Sequence, residues 1–351
     1  MKTVHVKVKH GGSSVYVGET LQQVSQYLPR RKVIIITDET VEKIYRPVFP
    51  DVPVIIIPTG EGIKTLATCK MIYQKLIEFS ADRNTFILGI GGGIVCDITG
   101  FTASTYMRGV KFGFVSTTLL SQVDASVGGK NGVNFNSYKN MVGVFCQPEF
   151  VICDISLLNT LPAQEVSNGF AEIVKHGLIA DPALFEFIES NVDKALGLDF
   201  DVIEKLVYDS VRIKAEIVEK DEKEADIRRL LNFGHTLGHA LEKTAADKHL
   251  SHGMAVSIGM VAASEFSRQR GFLTDQDCLR IRELLQGLHL PVTYDADPAR
   301  IIEAVKKDKK RDADTICFVF LEQIGKAFVE KTGLTRLEKD VRSLWEKTDH
   351  L

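Results

Sequence analysis

The feature that most constrains the fold is a series of short, continuously apolar runs in the first half of the chain, each followed by a helical pattern. The runs cover residues 31–37, 52–57 and 85–90, and a clear amphipathic helix is predicted over residues 64–79. Strands that are apolar throughout, rather than alternating, are typical of a parallel sheet with helices on both faces. We therefore expect an α/β N-terminal domain with a Rossmann-like parallel sheet.

The second half of the chain has a different pattern. From residue 162 to about residue 286 it is almost entirely helical, with helices predicted over residues 183–192, 201–221, 227–244, 255–270 and 276–286. Two β-rich runs, residues 315–320 and 326–329, then flank Ile324-Gly325 and predict a hairpin. A chain of 351 residues is long for a single core. We expect an α/β domain over residues 1–156 and a mainly α-helical C-terminal domain over residues 157–351.

Composition excludes several classes of function. The net charge of −3 indicates neither nucleic acid nor an anionic membrane as a partner. No run approaches the roughly 18 apolar residues that span a bilayer, and the first nine residues alternate like a half-exposed strand rather than a secretory signal. The six cysteines are scattered, without a C-x-x-C pair, which favours reduced thiols and a cytoplasmic location.

A glycine-rich turn, Gly89-Ile90-Gly91-Gly92-Gly93, lies between a predicted strand and a predicted helix. Glycines there let the backbone approach a pyrophosphate, and the amides at the start of the helix favour an anion. The pattern is not a clean G-x-G-x-x-G, so a tight turn without a ligand remains an alternative. Two further polar turns, at residues 116–118 and 128–130, favour a nucleotide site on this half.

Potential metal ligands are concentrated in two stretches of the second half. His235 and His239 are four residues apart, and His252 lies at the start of the next predicted helix, with His249 close by. Earlier, Glu172, Lys175 and His176 share one helical face. Catalytic zinc is commonly held by three His or carboxylate ligands with one position open. Spacing predicts such a site but leaves open which three residues bind.

Taken together, these segments resemble the 3-dehydroquinate synthase family. The resemblance runs from residue 89 to about residue 259 and centres on GGGIVCD at 91–97, YMRGV at 106–110, STTLLSQVDASVGGK at 116–130 and KNMVG at 139–143. There are departures: Cys96 stands where the family usually has Gly, Ser116 where it often has Pro, and Met254 where it usually has Glu. None of these removes an expected ligand or charged substrate contact.

The resemblance implies a specific set of site residues. It selects Glu172, His235 and His252 as ligands of Zn (or Co), assigns His239 to the substrate, and makes His176 and His249 bystanders. The NAD contacts it implies are Asp38, Glu61, Lys64, Gly93, Ile94, Val95, Cys96, Asp97, Thr117, Thr118, Asp124, Lys130, Lys139, Leu157, Leu158, Asn159 and Thr160. The substrate contacts it implies are Asp124, Lys130, Asn140, Lys175, Lys214, Arg228, Asn232, His239 and either Lys309 or Lys310, with Arg108 reaching across a homodimer interface.

The reaction implied by the resemblance converts the sugar phosphate 3-deoxy-D-arabino-heptulosonate 7-phosphate to 3-dehydroquinate and phosphate. Transient oxidation by NAD acidifies a neighbouring C–H, phosphate is eliminated, the hydride returns, and an intramolecular aldol step closes the ring. Lys130 and Arg228 are expected at the substrate carboxylate, and Asn140, Lys175, Lys214 and His239 at its phosphate.

Three other functions remain as alternatives. Another sugar-phosphate cyclase, of the valiolone or aminodehydroquinate type, would share the fold, NAD and zinc, although Arg228, Asn232 and His239 favour the dehydroquinate reaction. A metal-dependent alcohol dehydrogenase of the glycerol dehydrogenase type would show net NADH production. A metal hydrolase with an unused glycine turn is disfavoured because the sequence contains no H-E-x-x-H helix.

Overall fold

The structure, a computed structural model, describes residues 1–9, 11–136, 138–245, 250–307, 311–312 and 314–346. The strands are β1 Lys2–Val8, β2 Gly11–Val17, β3 Val33–Asp38, β4 Val54–Ile57, β5 Phe86–Gly91, β6 Phe112–Ser116, β7 Lys130–Phe135, β8 Tyr138–Phe145, β9 Phe150–Cys153, β10 Arg311–Asp312, β11 Thr315–Gln323 and β12 Lys326–Gly333. The helices are α1 Glu39–Tyr45, α2 Leu66–Glu78, α3 Gly93–Thr105, α4 Ala163–Ala180, α5 Pro182–Glu189, α6 Val192–Leu196, α7 Phe200–Lys220, α8 His235–Thr244, α9 His252–Gln269, α10 Asp275–Gly287, α11 Pro298–Lys306 and α12 Leu334–Trp345.

The chain divides into two compact units. The first comprises Met1–Val166 and Phe200–Lys223, and the second comprises Ser167–Asp199 and Glu224–Leu351. The division after residue 156 stays a prediction, and the unit division differs from it chiefly at α7. That helix packs in the first unit against β1 and β2, and the Lys7 amide donates to Glu219 Oε1 at 2.8 Å.

A seven-stranded sheet organises the first unit, in the order β1-β2-β9-β6-β5-β3-β4. Only the edge pair β1–β2 is antiparallel; the other neighbours are parallel. Strands β5, β6 and β9 are buried at every position, because helices cover the sheet. The predicted α/β, Rossmann-like parallel sheet is confirmed. A separate antiparallel hairpin, β7–β8, was not predicted.

The second unit is mainly helical, as predicted. Its core comes from α4, α8 and α9, and the α9 helix is buried along most of its length. The predicted hairpin is present: β11 and β12 pair in antiparallel fashion around Ile324 and Gly325. Among the residues described, no helix is long and apolar enough to cross a membrane.

One predicted helix is wrong. Residues 227–244 do not form a single helix, because a short 3₁₀ turn, Ile227–Asn232, is followed by a break before α8. At the break Gly234 has a left-handed conformation with φ 76°, which glycine adopts without steric cost. The break turns the chain so that His235 opens a new helix.

Candidate active site

Three side chains from three helices meet in the second unit. Glu172 lies in α4, His235 is the first residue of α8, and His252 is the first residue of α9. Glu172 Oε1 lies 3.2 Å from His235 Nε2 and 3.4 Å from His252 Nε2. One ligand atom from each residue lies within 4.8 Å of the others. The Glu172 side chain is fully buried, so this cluster is built around a carboxylate withdrawn from water.

Close backbone contacts hold the three helices in this arrangement. A Cβ on Gly259 would lie 2.0 Å from the carbonyl oxygen of Gly234, so α9 passes directly against the start of α8. A Cβ on Gly253 would lie 2.5 Å from Cα of Asn168, and Ser251 Oγ donates to Asn168 Oδ1 at 2.6 Å. Ser251 and Gly253, the two neighbours of His252, therefore both contact α4 at Asn168, one turn before Glu172.

The electrostatics of the cluster favour a carboxylate beside a neutral imidazole. Burial alone would raise the pKa of Glu172, but Lys175 and His235 outweigh it and hold this pKa well below its usual range. Lys175 Nζ contacts the Glu172 carboxylate from the next turn of α4. Burial lowers the pKa of His235, against the pull of Glu172, and so favours the neutral ring.

His252 differs from His235 because it lies between two carboxylates. Burial would lower the pKa of His252, but Glu172 and Glu242 outweigh it and raise this pKa to about 10. Its Nδ1 lies 3.4 Å from Glu242 Oε1. The ring is 33% exposed, against 11% for His235, which makes it the most solvent-accessible member of the cluster.

The donor set fits a divalent cation. Neither oxygen of Glu172 receives a hydrogen bond of regular geometry from the described part of the chain, although Lys175 and two imidazoles surround them. A buried carboxylate with two imidazole nitrogens matches the ligand chemistry of a catalytic zinc site with an open position. His239 lies beside this set, with its ring centroid 5.3 Å from that of His235 and 5.9 Å from that of His252.

Two other residues predicted to contact substrate in the second unit, Lys175 and Arg228, are buried, and Asn232 is half-buried. Lys175 is 1% and Arg228 2% exposed, which is unusual for such side chains. The Asn232 amide donates to Glu224 Oε1 at 2.6 Å. His176 is fully buried in α4. The alternatives Lys309 and Lys310, together with His249, lie outside the described residues.

In the first unit, Lys64 and Lys214 contact polar residues that were also predicted at the site. Lys214 Nζ lies 2.8 Å from Asp124 Oδ1 and donates to the Asp124 carbonyl at 2.5 Å. Lys64 Nζ contacts Asp97 and donates to Asn140 Oδ1 at 2.6 Å. Burial raises the pKa of Asp97, and Lys64 opposes that shift. The structure thus joins the buried Lys64, the half-buried Asp97 and the exposed Asn140 in one polar group.

Arg108, Lys130 and Lys139 lie at exposed positions of the first unit. Arg108 ends the short turn after α3 with a left-handed φ of 69°. Lys130 is the first residue of β7, and Lys139 is the second residue of β8. These three predicted contacts remain predictions.

The glycine-rich turn joins β5 directly to α3. Strand β5 ends at Gly91 and α3 begins at Gly93, so the amides of Gly93, Ile94 and Val95 belong to the first helical turn, where intrahelical acceptors are lacking. Cys96 lies in the same turn of α3 and is buried. A Cβ on Gly92 would lie 2.9 Å from Thr118 Cγ2. The turn is therefore tight, and its backbone is open to an anion.

The remaining residues predicted to contact NAD also have local structural roles. Asp38 caps α1, accepting from the amides of Thr40 and Val41 at 2.9 Å. Glu61 Oε1 accepts from the Asn134 amide at 2.8 Å. Thr117 donates its amide to the Gly91 carbonyl at 3.0 Å. Residues Leu157, Leu158, Asn159 and Thr160 lie in the 3₁₀ turn Ile155–Thr160.

Sequence reasoning missed three residues of the second unit that touch this site: Asn168, Glu224 and Glu242. Helical spacing offered a signal for two of them, since Asn168 lies one turn before Glu172, and Glu242 lies one turn after His239 and two turns after His235. Glu224 had no such signal, because the chain between it and Asn232 is irregular.

Comparisons with known proteins match this chain to one family. The family models described as 3-dehydroquinate synthase N-terminal and C-terminal match residues 54–168 and 169–311. A 3-dehydroquinate synthase of Nitrosospira multiformis is 40% identical over 331 residues, which cover 91% of this chain and 90% of that protein.

Two solved structures are similar over nearly the whole chain. The 2-epi-5-epi-valiolone synthase of Streptomyces hygroscopicus subsp. jinggangensis, with NAD⁺ and Zn²⁺ bound, is 26% identical with a TM-score of 0.88, covering 99% of this chain and 100% of that one. A 2-deoxy-scyllo-inosose synthase complexed with carbaglucose-6-phosphate, NAD⁺ and Co²⁺ is 26% identical with a TM-score of 0.87, covering 97% and 100%. The family models and the 40% identical relative together show that this chain belongs to the 3-dehydroquinate synthase family.

Proposed function

We propose that this protein is a 3-dehydroquinate synthase, a phosphorus–oxygen lyase that converts 3-deoxy-D-arabino-heptulosonate 7-phosphate to 3-dehydroquinate and phosphate, and that it acts as a cytoplasmic homodimer. The observation that carries the proposal is the Glu172, His235 and His252 cluster in a chain 40% identical to a named synthase. This conversion forms the first carbocycle of the shikimate pathway, which leads to the aromatic amino acids.

Glu172, His235 and His252 are the proposed ligands of one divalent zinc or cobalt ion, and the buried carboxylate and two imidazoles fit that role. The related synthases with Zn²⁺ or Co²⁺ bound support the choice of metal. The residues of the glycine turn, with Asp38, Glu61, Lys64, Thr117, Thr118, Lys139 and the 3₁₀ turn Ile155–Thr160, are the proposed NAD contacts. When bound, the metal polarises substrate hydroxyls and NAD accepts and returns a hydride.

The chain's own residues bind and orient the anionic substrate. Lys130 and Arg228 are assigned to its carboxylate, and Arg108 to a contact from a second copy of the chain. The phosphate is assigned to Asn140, Lys175, Lys214 and His239. Buried cations form stronger charge-assisted hydrogen bonds with carboxylate and phosphate than exposed ones do, and both Lys175 and Arg228 are at least 98% buried. Asn232, whose amide donates to Glu224 Oε1 at 2.6 Å, is a further proposed substrate contact.

The decisive experiment measures phosphate and NADH in the same reaction. With NAD and zinc present, the protein is expected to release phosphate from the heptulosonate phosphate without accumulating NADH, because the hydride returns within each turnover. Sustained NADH production would place the protein with the alcohol dehydrogenases instead, and turnover after complete removal of NAD would exclude the cyclase mechanism. Glucose 6-phosphate, whose carba analogue is bound in the inosose synthase, serves as the alternative substrate. Faster phosphate release from it would favour a different cyclase.

A further inference from the structure

Glu242 contacts the candidate metal cluster but is not among the proposed ligands or substrate contacts. It lies in the last turns of α8, seven residues after His235, on the helical face that points toward the cluster. Its side chain is only 8% exposed, and its Oε1 lies 3.4 Å from Nδ1 of His252. The opposite nitrogen of the same ring, Nε2, lies 3.4 Å from Glu172 Oε1. His252 is therefore held between two carboxylates through its two nitrogens.

Once a cation displaces the Nε2 proton of His252, this arrangement favours the tautomer that keeps its one proton on Nδ1. A neutral imidazole has one N–H and one lone pair, and a metal binds only the lone pair. An N–H on Nδ1 can be donated to Glu242, which leaves the lone pair on Nε2, toward Glu172. Partners of this kind orient ligating histidines and raise their basicity.

A parallel contact at His235 supports the assignment. His235 Nδ1 lies 3.1 Å from the carbonyl oxygen of Phe233, so its Nε2 likewise faces Glu172. The His235 ring is held by a backbone carbonyl two residues earlier in the chain, whereas the His252 ring has a side-chain partner. His252 is also three times as exposed as His235, at 33% against 11%. The orientation of the His252 ring therefore depends more on a side-chain partner than the orientation of the His235 ring does.

We propose that Glu242 is a positioning residue: it accepts the Nδ1–H of His252 and so holds the Nε2 lone pair toward the cation. This inference rests on the proposed metal site. Glu242 is not itself a ligand in this assignment. Glu242, His239 and His252 also lie close enough to hold an ion. The test must therefore distinguish the positioning role from a second cation bound through Nδ1 of His252.

The test compares zinc binding by the wild-type protein, Glu242→Ala, Glu242→Gln and a matched control, Glu283→Gln. Glu283 is an exposed residue of α10 in the same unit, so the control removes the same charge away from the cluster. Affinity and stoichiometry are measured by competition with a chromophoric chelator, and the absorption spectrum of the cobalt-loaded protein reports ligand geometry. We expect one zinc per chain and a loss of affinity of about 10- to 100-fold in Glu242→Ala. Glu242→Gln, which keeps a neutral acceptor, should lose less, and the control should be unchanged.

The possible outcomes separate this inference from the proposed function. If the wild-type protein binds no zinc, the metal site itself is wrong. If it binds one zinc and Glu242→Ala binds it within twofold of the wild type, only the role of Glu242 is wrong. A fall from two zinc ions to one would make Glu242 a ligand and overturn the positioning role. If Glu242→Ala does not fold, as judged by its circular dichroism, Glu242→Leu, which fills a similar volume without an acceptor, decides, and its unchanged affinity and cobalt spectrum would overturn the inference.

Discussion

At the scale of single residues, the three proposed metal ligands come from three different helices, α4, α8 and α9. Spacing along a helix shows only that Glu172 and His176, or His235 and His239, share a face. Whether side chains from three helices converge depends on packing that spacing does not contain. The ligand set came from the resemblance, and the structure brings Glu172, His235 and His252 within reach of one ion. Glu242 shares a helical face with His235 and His239, but spacing within one helix does not show that it contacts His252 on the next.

His235 and His239 should differ sharply when each is replaced by alanine. His235→Ala removes a proposed ligand, so zinc affinity should fall by more than about 100-fold, beyond the loss typical of outer partners. His239→Ala should keep zinc, because its ring lies beside the cluster rather than among the proposed ligands, but slow phosphate release by about 100-fold or more, the scale of a lost proton-transfer or binding group. Zinc content and phosphate release are measured on both. The exposed His5→Ala variant is the control, and retention of zinc by His235→Ala would refute the ligand assignment.

At the scale of elements, the interiors of helices and strands followed from hydrophobic pattern, whereas one break did not. The pattern continues through residues 227–244, yet the structure ends a 3₁₀ turn at Asn232 and starts α8 at His235. A glycine inside a helical pattern is tolerated in many proteins, so the pattern cannot signal the left-handed conformation of Gly234. The reason is tertiary: Gly234 and Gly259 allow α8 and α9 to approach backbone to backbone.

Gly259→Ala should therefore disrupt the contact between α8 and α9. The new Cβ would lie 2.0 Å from the Gly234 carbonyl oxygen, a backbone atom that cannot rotate away. We expect a loss of unfolding free energy of about 3 kcal/mol or more, the range of severe overpacking, together with weakened zinc binding. Urea unfolding and zinc titration measure the two effects.

The matched control is Gly287→Ala at the end of α10. Its new Cβ would be 3.5 Å from Val192 Cγ1, an ordinary contact, and alanine has the higher helix propensity. This variant should be as stable as the wild type or slightly more so. Equal destabilisation of the two variants would show that loss of glycine, rather than the close approach at Gly259, is responsible.

At the scale of the whole molecule, the order of strands and the placement of α7 were beyond the sequence. Buried apolar strands predict a parallel sheet, but they do not say that β9 lies between β2 and β6. An amphipathic helix such as α7 shows one apolar face without showing what covers it. In the structure that face belongs to the first unit, although the helix lies within the helical half of the sequence. Long-range pairing of this kind depends on the whole fold.

The stability of the molecule at alkaline pH should depend on Tyr27. Its hydroxyl donates to Glu19 Oε2 at 2.5 Å, and its ring packs in tilted contacts against Tyr16 and Phe150. Burial, with the hydrogen bond to Glu19 and its charge, raises the pKa of Tyr27 from 10.0 to about 12. A raised pKa means that the folded state favours the neutral phenol. The stabilisation is therefore complete below about pH 10 and is lost as the pH rises from about 10 to about 12.

Tyr27→Phe isolates this contribution, because phenylalanine keeps the ring but cannot ionise. Wild-type protein should be more stable than Tyr27→Phe at pH 8.5, and the difference should shrink by pH 11, as the unfolded wild-type chain ionises Tyr27 and the folded one resists. Urea midpoints at the two pH values give the comparison. Tyr138→Phe, at a tyrosine that is 52% exposed, is the matched control for loss of a hydroxyl. Other groups, including the buried thiols of Cys96 and Cys153, are the same in both proteins. A stability difference between wild type and Tyr27→Phe that does not change with pH would therefore contradict the role assigned to the Tyr27 hydroxyl.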